Sequence, residues 1–136
     1  MSKAFDLAGR VAIVTGGNGG IGLGMATGLA QAGAALLIAG RNAAKNAAAV
    51  QALAALGAQA AAFEADVSVQ AECRALIEAA LAKLGRLDIL VNNAGTNIRK
   101  QPQDYTLDEW KSVLDTNLTS AFLCSQAAYP ALQKAG

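Results

Sequence analysis

The sequence reads VAIVTGGNGGIG at residues 11–22. Its first four residues are apolar and mostly β-branched, which predicts a buried strand over Val11–Val14. Five glycines follow, and a helix is predicted over Leu23–Gln31, with Gly33 as its stop. A strand that passes through a glycine-rich turn into a helix is typical of the first unit of a parallel βαβ fold.

The alternation of strands and helices continues along the chain. We predict further strands over Ala35–Ala39, Gln59–Ala65 and Leu87–Val91, and helices over Ala43–Leu56, Ser68–Leu84, Leu107–Leu114 and Leu118–Lys134. Ser68 is expected to cap the third helix, and Pro130 to kink or end the last one. The apolar stripe of the third helix is predicted to be Leu76, Ile77, Ala80, Leu81 and Leu84. Four strands alternating with helices predict a parallel sheet in one α/β domain over residues 1–136, with helices on both faces.

Composition narrows the possible functions. The 136 residues carry 11 basic and 10 acidic side chains without a basic block, which argues against nucleic acid as a partner. No apolar run approaches the ~20 residues of a membrane span, and the N-terminus lacks the apolar core of a signal peptide. We therefore expect a cytoplasmic protein that does not enter a membrane. Cys73 and Cys124 are expected to be reduced, packed thiols, and without His no metal site is predicted.

The glycine-rich turn has the composition of a phosphate-binding loop. The first turn of a helix offers unpaired N–H groups and a partial positive charge, and glycine lets a pyrophosphate approach them. Gly16 would permit the tight turn out of the strand, Gly20 the approach of the phosphates, and Gly22 the close packing of helix on strand. The alternative is an ordinary glycine-rich turn.

Four landmarks in order resemble the signatures of the short-chain dehydrogenase/reductase family. They are Thr15–Gly22, Asp66-Val67 after the third strand, Asn92-Asn93-Ala94-Gly95 after the fourth, and Asn117. The resemblance implies a three-layer Rossmann-like sheet with strand order 3-2-1-4-5-6-7. This chain would supply strands 3-2-1-4, so we expect a dinucleotide-binding domain that is truncated after the fourth strand and the helices that follow it.

The resemblance also implies roles for individual residues. Asp66 would accept a hydrogen bond from the adenine amino group beside the Val67 backbone, and Asn92 would brace the central strands. Asn117 would hold a water of the proton relay and is the one catalytic candidate. Each of three residues also has a purely structural alternative. Asp66 could be an acid that complements a helix N-terminus, Gly95 could be an ordinary turn residue, and Asn117 could be a polar residue in a joint between helices. The cofactor-binding set is Gly16, Asn18, Gly20, Ile21, Gly22, Arg41, Asp66, Val67, Asn93, Ala94 and Gly95.

The end of the second strand favours NADP over NAD, although NAD remains possible. Enzymes that use NAD usually place an acid there for the ribose hydroxyls, whereas this chain has Gly40 followed by Arg41. Arg41 could pair with a 2′-phosphate through its planar guanidinium. The alternative is a solvated loop arginine. Asn18 argues the other way, because many NADP-using members of the family carry a basic residue there.

The family's Tyr-x-x-x-Lys does not occur in these 136 residues. Glu109 and Gln133 stand four residues after the two tyrosines, Tyr105 and Tyr129. We therefore expect this chain alone not to catalyse efficient hydride transfer. The leading hypothesis is the cofactor half of an NAD(P)-dependent oxidoreductase that acts on a hydroxyl/carbonyl pair. The alternatives are a non-catalytic nucleotide-binding module and a fragment that self-associates through the fourth strand.

Substrate and assembly rest on the same resemblance. The loop after residue 95 is similar to that of sugar-acid members such as gluconate and 2-deoxygluconate dehydrogenases. Arg99 and Lys100 could meet a substrate carboxylate, or could be a solvated pair. The last two helices resemble those of the family's dimer interface, so a homodimer or homotetramer is expected.

Overall fold

Four parallel strands form one sheet in the order β3-β2-β1-β4. The structure, a computed structural model, describes residues 3–136. In the central strands, Ile13 lies opposite Leu37 on one side and Leu90 on the other. This order confirms the Rossmann-like sheet that the sequence predicts. The strands are β1 (Val11–Thr15), β2 (Ala35–Gly40), β3 (Ala60–Glu64) and β4 (Ile89–Val91).

Helices cover both faces of the sheet and complete three layers. The helices are α1 (Gly20–Gln31), α2 (Ala43–Ala55), α3 (Gln70–Leu84), α4 (Leu107–Leu114) and α5 (Ser120–Ala135). Ala12 and Val14 of β1 pack with α1 and α2, and Ile13 packs with α3 and α5. Strand alternation therefore divides the core into two halves, both of which exclude water.

Cys73 of α3 and Cys124 of α5 meet in the second of these halves. Both are fully buried free thiols, and their sulfurs lie 3.6 Å apart. Burial raises the pKa of the Cys124 thiol to about 12 and also raises that of Cys73. The pair therefore stays protonated at neutral pH and contributes packing between α3 and α5.

The start and the surface of α3 differ from the sequence prediction. The helix begins at Gln70, with Val69 at the N-cap and no side-chain cap, because the Ser68 hydroxyl donates to Asp66 instead. Leu81 is 40% exposed and does not belong to the buried stripe. Cys73 lies on the buried face in its place, since it stands one turn before Leu76 and Ile77.

Two further boundaries also shift. β4 begins at Ile89, and just before it Asp88 holds the start of β1: its N–H donates to the Val11 carbonyl and its carboxylate accepts from the Val11 N–H, both at 2.9 Å; Leu87 is nevertheless fully buried. Pro130 does not end α5, which runs to Ala135. A π-helical turn over Asp115–Thr119 joins α4 to α5 and contains Asn117, so the helix joint predicted there exists. Within residues 3–136, none of the helices is both long and apolar enough to span a membrane.

Candidate cofactor site

A cavity of about 490 Å³ lies where the strands end at their carboxyl termini. This is the edge at which open parallel sheets bind ligands, and the volume is that of a small-molecule site. It is lined by ten of the eleven residues that the sequence assigns to the cofactor: Gly16, Asn18, Ile21, Gly22, Arg41, Asp66, Val67, Asn93, Ala94 and Gly95. Only Gly20 lies outside the lining. The residues that sequence reasoning missed are Gly19, Ala39, Asn42, Lys45, Ala65 and Thr116.

The glycine loop brings α1 against the end of β1. Gly16 adopts a positive φ of 63°, which an L side chain rarely adopts, and its N–H continues the sheet by donating to the Ala39 carbonyl at 2.8 Å. A Cβ on Gly22 would overlap the Gly16 carbonyl oxygen and the Asn93 amide. Both glycines therefore have the structural reason that the sequence suggests: one allows the turn and the other the close helix packing.

The N-terminus of α1 is open toward the cavity. Its N-cap residue is Gly19, which offers no side chain to bind the first-turn N–H groups. By contrast, the Asn42 and Thr106 side chains cap α2 and α4. A Cβ on Gly20 would meet only open space, so the φ of +54° is what favours glycine there. Uncapped N–H groups and a positive helix end beside a cavity are suited to an anion.

Asn93, rather than Asn92, braces the central strands. Its side-chain amide donates to the carbonyls of Thr15 at 3.1 Å and Gly16 at 3.2 Å, and its backbone N–H donates to the Thr15 hydroxyl at 3.0 Å. Asn92 is exposed, and among residues 3–136 its side chain bonds only Ser125 of α5. The assignment of the brace to Asn92 is therefore wrong by one position, because beyond the end of β4 the Asn92 side chain bonds α5 while the Asn93 side chain bonds the end of β1.

The β2 and β3 ends of the cavity carry its charged groups. Asp66 Oδ1 accepts from the Ser68 hydroxyl at 2.6 Å and from the Ser68 N–H at 3.0 Å. The Ser68 hydroxyl lowers the pKa of Asp66, and the positive charge of Arg41 lowers it further, so the group is a carboxylate at neutral pH. Arg41 and Lys45 line the same end of the cavity, and no ion pair involves either of them among residues 3–136.

Asn117 fixes the loop that follows β4. Its Oδ1 accepts from the Thr96 N–H at 2.6 Å and its Nδ2 donates to the Thr96 carbonyl at 2.9 Å. A Cβ on Gly95 would lie 3.2 Å from Asn117 Oδ1, so this contact favours glycine at position 95. Thr116, the neighbour of Asn117 in the π turn, lines the cavity.

Metal binding finds no support in the described part of the chain. Residues 3–136 contain no group of three or more His, Cys, Asp or Glu side chains that could hold a metal ion.

A Rossmann-like sheet with a glycine loop at its carboxyl edge defines the class of fold. Residues 10–136 match the family model described as short chain dehydrogenase, and the chain belongs to that family. This membership confirms the resemblance that the sequence motifs carry.

Named relatives include enzymes with different substrates. The chain is 42% identical over 134 residues to the rhamnolipids biosynthesis 3-oxoacyl-[acyl-carrier-protein] reductase of Pseudomonas aeruginosa, covering 98% of this chain and 52% of that protein. It is 41% identical over 126 residues to 2-dehydro-3-deoxy-D-gluconate 5-dehydrogenase of Escherichia coli, covering 93% and 49%. The second confirms that sugar-acid enzymes are among the relatives. The chain spans about half the length of the curated relatives it matches.

The solved structures include a relative with a dinucleotide. The RhlG/NADP active-site complex of Pseudomonas aeruginosa superposes with a TM-score of 0.92 at 43% identity, and covers 100% of this chain and 53% of that one. NAD(P) use by the family therefore has support in a close structural relative.

Proposed function

We propose that this chain binds NADP and forms the cofactor part of an oxidoreductase that acts on a hydroxyl/carbonyl pair. The observation that carries the proposal is one cavity at the sheet edge that gathers an uncapped helix N-terminus, a carboxylate and two basic side chains that form no ion pair with the described residues. NAD(P), when bound, would supply or accept the hydride. The chain's own residues would bind it, orient it and keep water from its phosphates.

Each end of the cavity suits one part of the dinucleotide. The first turn of α1 would bind the pyrophosphate. Asp66 Oδ2 accepts no hydrogen bond from the described residues and is free for the adenine amino group, while Val67, which is 93% buried, would support the ring. Gly95 and Asn117 would lie toward the nicotinamide, where Asn117 is our candidate for holding a water of the proton relay.

The reacting groups would lie in the half of the relatives that this chain does not span. By resemblance these are a Ser and a Tyr-x-x-x-Lys, in which the tyrosine exchanges the proton and the lysine lowers its pKa. Neither tyrosine of this chain is proposed for that role, because Glu109 and Gln133 stand where the lysine would be needed.

The choice of NADP depends on Arg41, with Lys45 as a second cation. Removing a charge-assisted pair with a 2′-phosphate costs about 1.5–3 kcal/mol, so Arg41→Ala is expected to weaken NADPH binding roughly 10- to 150-fold. NADH, which lacks that phosphate, should lose far less. Isothermal calorimetry with both nucleotides would measure this.

Arg74→Ala is the matched control for this experiment. Arg74 is an exposed arginine of α3 outside the cavity, so its removal changes net charge by the same amount. Equal NADPH affinity in Arg41→Ala and Arg74→Ala would contradict the assignment of the 2′-phosphate to Arg41. Failure of the wild-type chain to bind either nucleotide would contradict the proposed function itself.

For the substrate we propose a small polar molecule, with a sugar acid as the leading class. Lys100 is already paired with Glu109 at 2.7 Å, which leaves Arg99 as the candidate partner for a carboxylate. Among the relatives, one is named a 2-dehydro-3-deoxy-D-gluconate 5-dehydrogenase and another a 3-oxoacyl-[acyl-carrier-protein] reductase. Comparing both substrate types in a complete enzyme that contains this chain would decide between them.

Assembly through α4 and α5 is the last part of the proposal. Large apolar side chains along these helices and the π turn between them are exposed: Leu107 65%, Trp110 58%, Leu118 66%, Phe122 62% and Tyr129 62%. Such a surface is typical of an interface, and by resemblance the partner is a second copy in a homodimer or homotetramer.

We expect Phe122→Glu to weaken self-association at least tenfold, because the interface would have to bury an unpaired charge. Sedimentation equilibrium over a range of concentrations would measure the shift. Phe5→Glu, at a residue that is 72% exposed and lies outside these helices, is the control. A wild-type chain that stays monomeric at all concentrations would refute this interface.

A cytoplasmic location of the protein is also part of our proposal.

A further inference from the structure

A buried asparagine of α2 ties the glycine loop to the end of β2. Asn46 is 3% exposed. Its Nδ2 donates to the Gly40 carbonyl at 2.9 Å, and its Oδ1 accepts from Asn18 Nδ2 at 2.9 Å. Turning the amide over would place oxygen against the Gly40 carbonyl and nitrogen against Asn18 Nδ2, so only one orientation is consistent with the network. We call Asn18, Gly40 and Asn46 the Asn46 clamp.

The Asn46 clamp fills the space in which a side chain at position 40 would have to lie. A Cβ on Gly40 would overlap Asn18 Nδ2 and come within 2.7 Å of Asn46 Oδ1. Gly40 has no positive φ, so its backbone conformation does not demand glycine. The clamp is therefore the physical reason for glycine at this position.

Position 40 is also the place where a carboxylate would bind the ribose hydroxyls of NAD. A residue with such a carboxylate cannot be accommodated while Asn18 and Asn46 keep their bond. The basic side chains that line this end of the cavity are Arg41 and Lys45, which suit a phosphate, and the carboxylate that lines it is that of Asp66. The same contacts that exclude an acid at position 40 thus keep a second carboxylate away from Arg41 and Lys45.

We propose that Asn46 is a positioning residue that fixes cofactor choice, because it excludes a carboxylate from the end of β2 while holding the glycine loop. The inference rests on the proposed dinucleotide site. Its consequence is that an acid at position 40 can serve NAD only when Asn46 is also replaced. Without Asn46, Asn18 is released, and its amide can rotate away from or bond the new carboxylate. The Gly40 carbonyl keeps a partner in the Ala65 N–H at 3.2 Å.

The test is a double-mutant cycle of Gly40→Asp and Asn46→Ala, measured by calorimetry with NADPH, NADH, 2′,5′-ADP and ADP. Gly40→Asp alone should weaken NADPH and NADH at least tenfold each, because it breaks the clamp. The double variant should recover an NADH affinity within about threefold of wild type, whereas its affinities for NADPH and 2′,5′-ADP should stay weak. Gln51→Glu adds the same charge on the exposed side of α2 outside the cavity, so it should leave the affinities for NADPH and NADH within about threefold of wild type.

Thermal unfolding tests the clamp without any nucleotide. Gly40→Ala should lower Tm by about 5 °C or more in the wild-type background and by less than half as much beside Asn46→Ala. Equal shifts in both backgrounds, or a Gly40→Asp variant that gains NADH affinity on its own, would overturn the inference. If wild type binds NADPH and this cycle shows no coupling, the inference fails while the proposed function stands.

Discussion

Gly22→Ala is expected to destabilise the fold by about 2–3 kcal/mol and to weaken NADPH binding at least tenfold. The added Cβ would overlap the backbone oxygen of Gly16 and the Asn93 amide, and backbone cannot move aside as a flexible side chain can. Overpacking of this kind costs about 1–3 kcal/mol. The helix α1 would have to shift away from β1, and its first turn would leave the position from which it faces the cavity. Urea unfolding and calorimetry would measure the two losses.

Gly24→Ala is the matched control, two residues further along the same helix. Gly24 is exposed, and a Cβ there would meet no atom within 4 Å. Alanine in a helix interior is better than glycine by about 0.5–1 kcal/mol, so this variant should be more stable than wild type. If both variants lose stability equally, the steric explanation of Gly22 is wrong.

Asp88→Asn is expected to destabilise the protein by about 2 kcal/mol. Asp88 lies immediately before β4, and its side chain is only 6% exposed. Its carboxylate accepts from the Val11 N–H at 2.9 Å, Arg86 Nε at 2.8 Å and an Arg10 nitrogen at 3.2 Å. An amide of the same shape would turn a donor toward these donors. Charged hydrogen bonds contribute about 1.5–3 kcal/mol, reduced here because solvent screens the half-exposed arginines.

The same variant should change the dependence of stability on pH. The hydrogen bond from Arg86 lowers the pKa of Asp88 in the folded state. The carboxylate therefore contributes its stabilisation fully above its unfolded pKa, near pH 4, and loses it as the pH falls through the lower folded value. Urea unfolding from pH 7 to pH 2 should show a smaller acid loss in Asp88→Asn than in wild type.

Glu78→Gln removes one negative charge from the exposed face of α3, where Glu78 makes no ion pair with the described residues. It should keep the wild-type stability and pH profile to within about 0.5 kcal/mol. An Asp88→Asn variant that behaves like this control would mean that the brace between the starts of β1 and β4 carries no stability.

The strand order and most of the cavity follow from local patterns. Apolar runs between glycines give the strands, parallel strands bring their carboxyl ends to one edge, and loops after those ends must share a site. Gly16, Gly22, Asp66 and Asn93 could therefore be assigned to one site from the sequence alone. Lys45 was not assigned to the cavity, although its place in the first turn of α2, four residues after Arg41, is a signal that the sequence offers.

What the sequence by itself determined is the alternation of elements, the turn glycines and the family, because each depends on residues that are close together along the chain. Only the tertiary structure decided which side chains form hydrogen bonds with particular partners. In the structure Asn93, not Asn92, braces the end of β1, and the Ser68 hydroxyl bonds Asp66 instead of capping α3. Asn46 bonds both Asn18 and Gly40. These contacts depend on the distance and direction between elements, which packing of the whole core sets and no local pattern records.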